Sequence, residues 1–245
     1  MIGCDCDVCR SADPRDSRTR PSIVVELDSG LQVLVDTTPD LRTQALAQNV
    51  RRVDALLYTH AHADHVFGLD EIRRFNAIAR SAMPIFGDAP TLADVRRIFN
   101  YAFDPDTPRG GGLPNLRLWP LAGPFCLGAQ EIVPVPIWHG SRLILGYRFG
   151  RFAYLTDCSG IPDRSMDLLQ GLDVLVLDAL RRRPHPTHFN VDQAVDMATR
   201  LGARQTYFTH ITHDLGHAET CASLPPGITL AYDGLMVPIT TPSCT

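Results

Sequence analysis

No stretch of this 245-residue chain is apolar for long enough to cross a bilayer. Its start, Met1 to Arg20, is polar and charged and lacks the apolar core of a secretory leader. Basic residues are not in excess. Lys and Arg total 23 against 27 Asp and Glu, a formal net charge of −4. A surface that tracks phosphate backbones needs such an excess, so nucleic acid is not the expected partner. The main basic run, Arg181-Arg182-Arg183, reads as a solvated turn. There is no internal repeat, low-complexity tract or linker, and a single domain over residues 1–245 is expected. A disulfide framework is also missing. Seven is an odd number of cysteines, and three of them crowd together as Cys4, Cys6 and Cys9. Thiols packed that way point to a cytosolic, metal-binding chain. The rest is ordinary for a globular protein, at 44% hydrophobic and 20% charged.

What is present is a histidine-rich run, Thr59-His60-Ala61-His62-Ala63-Asp64-His65. It follows Val53-Asp54-Ala55-Leu56-Leu57-Tyr58, whose apolar character predicts a buried strand. Residues two apart in an extended segment point the same way, so His60 and His62 can converge on one ion. Asp64 and His65 then open a helix and can reach a second ion beside the first. Neutral imidazole and carboxylate oxygen suit Zn²⁺, Mn²⁺ or Fe²⁺. Burying four such groups without a metal would be costly.

Patterning predicts strands over Ser22–Leu27 and Leu31–Asp36, joined by the turn Asp28-Ser29-Gly30. A helix is expected over Pro39–Asn49, and a strand over Asp54–Tyr58. A continuous helix from Asp64 to Ala79 would align Leu69, Ile72, Phe75 and Ile78 on one face. Pro84–Phe86 reads as a strand and Thr91–Tyr101 as a helix. Pro105–Pro114, with Arg109-Gly110-Gly111-Gly112, reads as a mobile loop and a candidate lid. Further strands are expected at Leu116–Leu118, Glu131–Ile137, Ile144–Phe149, Phe152–Thr156 and Asp173–Leu177. A helix over Asn190–Leu201 takes Asn190 as N-cap. Strands at Gln205–Phe208, Thr229–Tyr232 and Met236–Ile239 close the chain. Two sheets flanked by helices satisfy that order.

Three more donors sit just past predicted strands and could complete the site: His139, Asp157 and His210. Offering ligands from several strand ends is how a rigid scaffold holds a reactive centre. Asp36, after the second strand, suits either a partner to a ligand histidine or a turn.

With the histidine run, these strand-end donors make the chain resemble the metallo-β-lactamase superfamily over nearly its whole length. The resemblance implies an α/β (α+β) fold, a four-layer αββα sandwich of two mixed β-sheets flanked by helices. It implies two divalent ions, Mn²⁺ or Zn²⁺. His60, His62, His139 and Asp157 would hold the first; Asp64, His65, Asp157 and His210 the second, with Asp157 bridging. Such a bridging carboxylate resembles the phosphodiesterase and thioesterase branches.

A narrower likeness lies at the amino end. Ile2-Gly3-Cys4-Asp5-Cys6-Asp7-Val8-Cys9, followed by Arg20-Pro21-Ser22, resembles the PhnP-type cyclic phosphate phosphodiesterase group. In that group three cysteines and a histidine bind a separate structural zinc, here Cys4, Cys6, Cys9 and His213, with His217 as the rival fourth ligand. A Cys₃His set is a closed tetrahedral site with no position left for chemistry. The group also carries a histidine matching His188, just before the helix at Asn190, although His185 lies close by. The group usually begins with a strand and a Gly/Thr/Ser-rich turn ahead of its cysteines, which the sequence as given does not show; either that piece is absent or the start is truncated, and a short sheet edge is expected.

The resemblance implies catalysis by His188, Asp64 and Asp157. Two ions sharing Asp157 would share a water whose pKa falls to roughly 7–9, giving a metal-bridging hydroxide that attacks phosphorus. His188 would bind a phosphoryl oxygen or protonate the leaving alkoxide. A diester fits better than a monoester, because no Arg fork is committed to a dianion, unless Arg109 or Arg181 swings in. The substrate implied is a small phosphate diester and the assembly a homodimer. Thioester hydrolysis of the glyoxalase II kind and tRNA 3′-end cleavage share the ligand set. The first has no call for the cysteine motif, and the second needs a basic arm that this chain lacks. A non-catalytic zinc scaffold is the reading from another class.

Overall fold

The computed structural model describes residues 1–108, 110 and 112–239. Two compact units make up the chain. One is Arg20–Gln130; the other combines Met1–Thr19 with Glu131–Thr245. Each is built on a mixed sheet covered by helices, the metallo-β-lactamase fold the resemblance implied. Among the described residues no helix is long and apolar enough to cross a membrane.

In the unit Arg20–Gln130 the sheet order is β1 (Ile23–Glu26), β2 (Gln32–Val35), β3 (Ala55–Leu57), β4 (Met83–Gly87) and β5 (Leu116–Pro120). The first pair is the expected antiparallel hairpin, with Val25 opposite Val33. From β2 onward the pairing is parallel. Leu34, Leu56 and Ile85 share one face of the sheet and are buried against helices. The covering residues are Leu41 of α1 (Leu41–Ala47), Ile72 and Phe75 of α3 (Ile72–Ala79), and Leu92 and Val95 of α4 (Ala89–Ile98). Each such side chain stabilises the fold by about 1.5–3 kcal/mol through burial. Chain segments that emerge from these parallel strands all leave by the same edge, and that edge carries the histidine run.

The helix expected over Asp64–Ala79 is broken. α2 spans only Ala63–Val66, a short 3-10 turn follows at Leu69–Glu71, and α3 begins at Ile72. The cause is local. The His65 carbonyl, which should accept from residue 69, accepts instead from the Thr37 amide at 2.8 Å. Gly68 then donates to Thr37 O at 2.9 Å, and a Cβ there would lie 2.0 Å from Thr38 O. The kink locks the His65 backbone to the end of β2. Ile78, expected on the apolar face, is 50% exposed although Ile72 and Phe75 are buried, because steps of three residues drift around a helix of 3.6 residues per turn and carry it off that face.

In the other unit the strands run β12 (Ile228–Leu230), β11 (Gln205–Thr209), β10 (Val174–Asp178), β9 (Phe152–Leu155), β8 (Arg142–Phe149) and β7 (Gln130–His139). Strands β9 to β12 are parallel and β7 to β9 antiparallel. Val135, Ile137, Leu155, Leu175, Leu177 and Phe208 form its core. α6 (Val191–Leu201) closes that core with Val191, Ala194, Met197, Ala198 and Leu201. Its spacing is the 3.6-residue period of an amphipathic helix. Asn190 caps it as expected: its side chain accepts from Gln193 N at 2.9 Å, while its own amide donates to the Gln193 side chain at 3.0 Å.

Met236–Ile239 does not form the expected strand. A short strand β6 (Phe125–Leu127) and the helices α5 (Asp163–Asp167) and α7 (His217–Ser223) were not foreseen. Each spans seven residues or fewer, too little for periodicity to register. Within the predicted loop Pro105–Pro114, Arg109 and Gly111 lie outside the described residues.

Candidate metal centre

The donors of the histidine run are oriented by one buried carboxylate. Asp36 directly follows β2 and is fully buried. It accepts from the Thr59 amide at 2.9 Å, the Thr59 hydroxyl at 2.8 Å and His65 Nδ1 at 2.8 Å. The Thr59 hydroxyl, having given its proton to Asp36, accepts from His60 Nδ1 at 3.0 Å. Both imidazoles therefore carry their proton on Nδ1 and present the Nε2 lone pair as a ligand. Asp36 is thus the orienting partner, not a plain turn residue. Burial pushes its carboxyl up, and the His65 and Thr59 donors pull it back. The rings of His62 and His65 lie 4.5 and 4.3 Å from that of His60. Asp64 sits beside them, Oδ2 3.7 Å from His65 Nε2. His60 and His65 are buried, Asp64 half-buried and His62 exposed.

A second donor set is carried by the strand ends of the other unit. His139 closes β7 and gives its Nδ1–H to Thr187 O at 2.9 Å, again leaving Nε2 as the lone-pair donor. Gly140 makes that approach possible: a Cβ at this residue would lie 2.8 Å from Thr187 Cγ2. Burial, foremost, holds His139 below the ordinary imidazole range, which keeps it neutral. Asp157 follows β9, and its Oδ1 lies 3.4 Å from His210 Nε2. His188 stands between His139 and His210, with ring separations of 4.9 and 4.8 Å. Its Nδ1–H goes to Asp178 at 2.8 Å, and its Nε2 faces Asp157 Oδ2 at 3.9 Å. Ligand atoms of Asp157, His188 and His210 fall close enough to share an ion. His185, the competing histidine, stands 5.0 Å from His188 at the rim of this group and does not replace it.

Asp36, Asp157 and His210 have positive φ angles of 64°, 56° and 57°. Non-glycine residues avoid that region, at a cost of about 1–3 kcal/mol each, unless the surroundings impose it. Turning the chain sharply at a strand end aims each side chain back across the edge it has just left. Asp178, by contrast, escaped the sequence reading. It ends β10 as Asp157 follows β9: a carboxylate closing an apolar strand. That pattern was the available signal.

The third group is at the amino end. Cys4, Cys6, Cys9 and His213 bring their ligand atoms within 4.8 Å of one another. His213 Nδ1 is 3.4 Å from Cys4 Sγ and 3.3 Å from Cys6 Sγ. The His213 hydrogen bond, foremost, pulls the Cys6 thiol down to about 6, which favours the thiolate a metal needs. His217 lies elsewhere, buried with its ring against Tyr232 at 5.6 Å. Arg18 fixes this corner by donating to Thr212 O at 3.1 Å, Leu215 O at 2.7 Å and Asp16 at 3.0 Å. Of the other cysteines, Cys158 and Cys221 are free and Cys126 is disulfide-bonded.

All three sets fit metal. Neutral imidazoles with Nδ1 occupied, together with carboxylates, suit hard to borderline divalent ions, and three thiols with an imidazole suit zinc.

Comparison with known proteins agrees with this chemistry. A family model described as a beta-lactamase superfamily domain matches residues 32–211. A solved structure described as a new diphosphatase from the PhnP family is 46% identical, with a TM-score of 0.90, covering 98% of this chain and 92% of that one. An octanoyltransferase of Porphyromonas gingivalis is 35% identical over 96% of this chain. The chain spans about half of that relative's length (48%). The Zn²⁺-bound PqqB of Methylobacterium extorquens shares the fold at 18% identity and a TM-score of 0.71, covering 97% of this chain and 95% of its own.

Proposed function

The chain belongs to the metallo-β-lactamase superfamily of hydrolases, and we propose that it is a phosphodiesterase that cleaves small or cyclic phosphate diesters. We assign one divalent ion, Mn²⁺ or Zn²⁺, to His60, His62, His139 and Asp157, and a second to Asp64, His65, His210 and the shared Asp157. A structural zinc goes to Cys4, Cys6, Cys9 and His213. The catalytic pair supplies Lewis acidity and lowers the pKa of water.

The observation that carries the reading is the His188–Asp178 pair. Asp178 accepts from His188 Nδ1 at 2.8 Å and from the Cys158 amide at 2.8 Å, so the carboxylate is fixed and the imidazole oriented. His188 Nε2, which faces Asp157 Oδ2, is thereby oriented to hold a phosphoryl oxygen or deliver a proton to the leaving alkoxide. Asp178 then stabilises the imidazolium form as a fixed counter-charge. Metal-ligand histidines give their second nitrogen to orienting acceptors here as well, but we assign His188, which could also share an ion with Asp157 and His210, to the substrate and not to either metal. Hydrolysis of a diester needs that extra group for its poor alkoxide leaving group. The resemblance of the amino-terminal cysteine motif to the PhnP-type group supports the same substrate class. It also supports one domain over residues 1–245 and a homodimer. The three thiol donors favour a cytoplasmic location, while the disulfide at Cys126 weighs the other way.

Acyl ester or thioester hydrolysis is the second reading, favoured by one observation: the long match to a relative named for octanoyl transfer. One assay separates the two. The Mn²⁺- or Zn²⁺-loaded protein is given bis(p-nitrophenyl) phosphate, a ribose cyclic phosphate, S-lactoylglutathione and an octanoyl thioester. Diester turnover that Asp157→Ala abolishes, with both thioesters untouched, is the expected result. Thioester turnover with inert diesters would overturn it.

A further inference from the structure

The unit Arg20–Gln130 carries a cleft at the edge of its sheet away from the histidine run. Arg73, Arg74 and Arg80 line it together with Ser81 and Asn115, and it encloses about 440 Å³, enough for a small organic ligand. Ser81 and Asn115 precede β4 and β5, whereas Asp36 and Thr59 follow β2 and β3. These strands are parallel, so the cleft and the histidine run lie at opposite ends of the sheet. β4 is five residues long, which separates the two by roughly 16 Å.

A buried amide fixes the floor of the cleft. The Asn76 side chain donates to Ser81 O at 2.9 Å and to Asn115 O at 3.0 Å, and accepts from Asn115 N at 2.9 Å. The turn after α3 and the start of β5 are thereby held together. Around that floor the three guanidiniums differ. Arg73 pairs at 3.0 Å with Asp70, which also accepts from the Tyr101 hydroxyl at 2.6 Å. The guanidiniums of Arg74 and Arg80 have neither an ion pair nor a hydrogen bond among the described residues. Helix electrostatics does not account for the cluster. Arg73 and Arg74 stand in the first turn of α3, where the macrodipole disfavours a cation. Arg80 caps α3 at a φ of 52°, in the left-handed region that helix ends usually give to glycine. A long basic side chain is thus kept where the backbone alone favours none.

We infer that this cleft binds the phosphoryl dianion of a phosphate monoester, at a site separate from the histidine run. Arg74 and Arg80 offer two positive charges without a counter-charge, and a monoester brings about two negative ones near neutral pH. Guanidinium forks meet phosphoryl oxygens with parallel N–H donors. Ser81 and Asn115 add neutral donors at the same floor, and the exposed Ala77 on the cleft wall offers an apolar contact to the esterifying group. Among the described residues no carboxylate lines the cleft to repel an anion. A diester, with a single charge, leaves one guanidinium unmatched. The site breaks no bond, and its ligand is defined without reference to the reaction at the metal donors.

Calorimetric titration of the metal-loaded protein with phenyl phosphate tests the assignment. Arg74→Ala and Arg80→Ala are each expected to weaken one binding event by about tenfold, as loss of one charge-assisted hydrogen bond implies. Asp157→Ala, which acts on the metal donors, should leave that event in place. Both arginines are exposed, and Arg74→Gln and Arg80→Gln, with Tm as a check on folding, guard against disturbance of the helix. Phenyl sulfate has the same shape and one charge, and should bind about tenfold more weakly. Inorganic phosphate is titrated alongside to tell the free ion from the monoester. The absence of any event sensitive to Arg74 and Arg80, or its loss in Asp157→Ala, would overturn the site. Phenyl sulfate binding as tightly as phenyl phosphate, or inorganic phosphate binding where phenyl phosphate does not, would overturn the choice of a monoester dianion.

Discussion

At single residues the site is a set of imidazoles whose roles are fixed by what holds the second nitrogen. His65 and His188 each give Nδ1–H to a buried carboxylate, Asp36 and Asp178, at the same 2.8 Å. Two consequences are open to measurement. Asp178→Asn keeps the shape and removes the counter-charge. Diester turnover is expected to fall by about 10–100-fold with metal content unchanged, and metal loss along with activity would count against the role given to His188. Asp36→Ala releases His65 and Thr59 together and should weaken metal binding by about 10–100-fold, read by competition with a chelator. A third consequence concerns His217, which takes no part in any donor set. Burial, with Arg15 and Arg18 adding to it, holds this imidazole below its ordinary value of 6.5. The folded state thus binds its proton less readily than the unfolded chain does. The stability this contributes is complete above the unfolded value and is lost as pH falls below it. Between about pH 6.5 and 5 the wild type should lose stability more steeply than His217→Gln, in denaturant titrations at fixed zinc. Parallel slopes would show that His217 titrates normally.

Among the elements, the junction between β2 and α2 does most to place the donors. The Thr37 amide takes the His65 carbonyl and the Gly68 amide returns to Thr37 O, so the helix cannot continue. Gly68→Ala puts a methyl group against Thr38 O. It should destabilise the protein by about 1–3 kcal/mol, as overpacking does, and lower metal content with it. A variant with wild-type stability and full metal content would show that the junction yields freely. This junction also marks where the sequence stopped being informative. The strands were legible because Val33-Leu34-Val35, Leu56-Leu57 and Val174-Leu175-Val176-Leu177 are apolar runs bounded by turns. The donors were legible because His139, Asp157 and His210 follow such runs directly. The helix break was not, because its cause is a hydrogen bond from Thr37, a residue distant in sequence from the helix it stops. Asp178 was missed for a related reason. It closes a strand in the same manner as Asp157, but only its spatial partner His188 gives it a role. α5 and α7 are held by tertiary contacts of Ser165, His217 and Thr220, not by any stripe that a local window can detect.

For the whole molecule, the cysteine cluster is the feature that joins distant parts of the chain. Cys4, Cys6 and Cys9 meet His213 within one compact unit, so the first residues are tied to the segment that follows β11. That segment begins at His210, a proposed ligand, and Arg18 fastens it further at Thr212 and Leu215. An ion held by the cluster binds the folded state and not the separated strands of an unfolded chain, so it stabilises by mass action, by about 2.7 kcal/mol at a hundredfold excess over its Kd. In a chain of this size 1 kcal/mol moves Tm by roughly 2–4 °C. Cys6→Ser should therefore lower Tm by roughly 5–10 °C and remove one equivalent of zinc, leaving the other bound metal in place. Turnover per folded molecule should fall only as far as loosening of the His210 segment allows, so a mild loss of kcat with KM unchanged is expected. The metal count is the discriminating reading. Loss of all bound metal in Cys6→Ser would mean that the cysteine cluster and the histidine donors fold as one cooperative unit. Loss of none would mean that the cluster holds no ion. Loss of a single equivalent, with the fall in Tm, is what a closed four-ligand site separate from the catalytic donors requires.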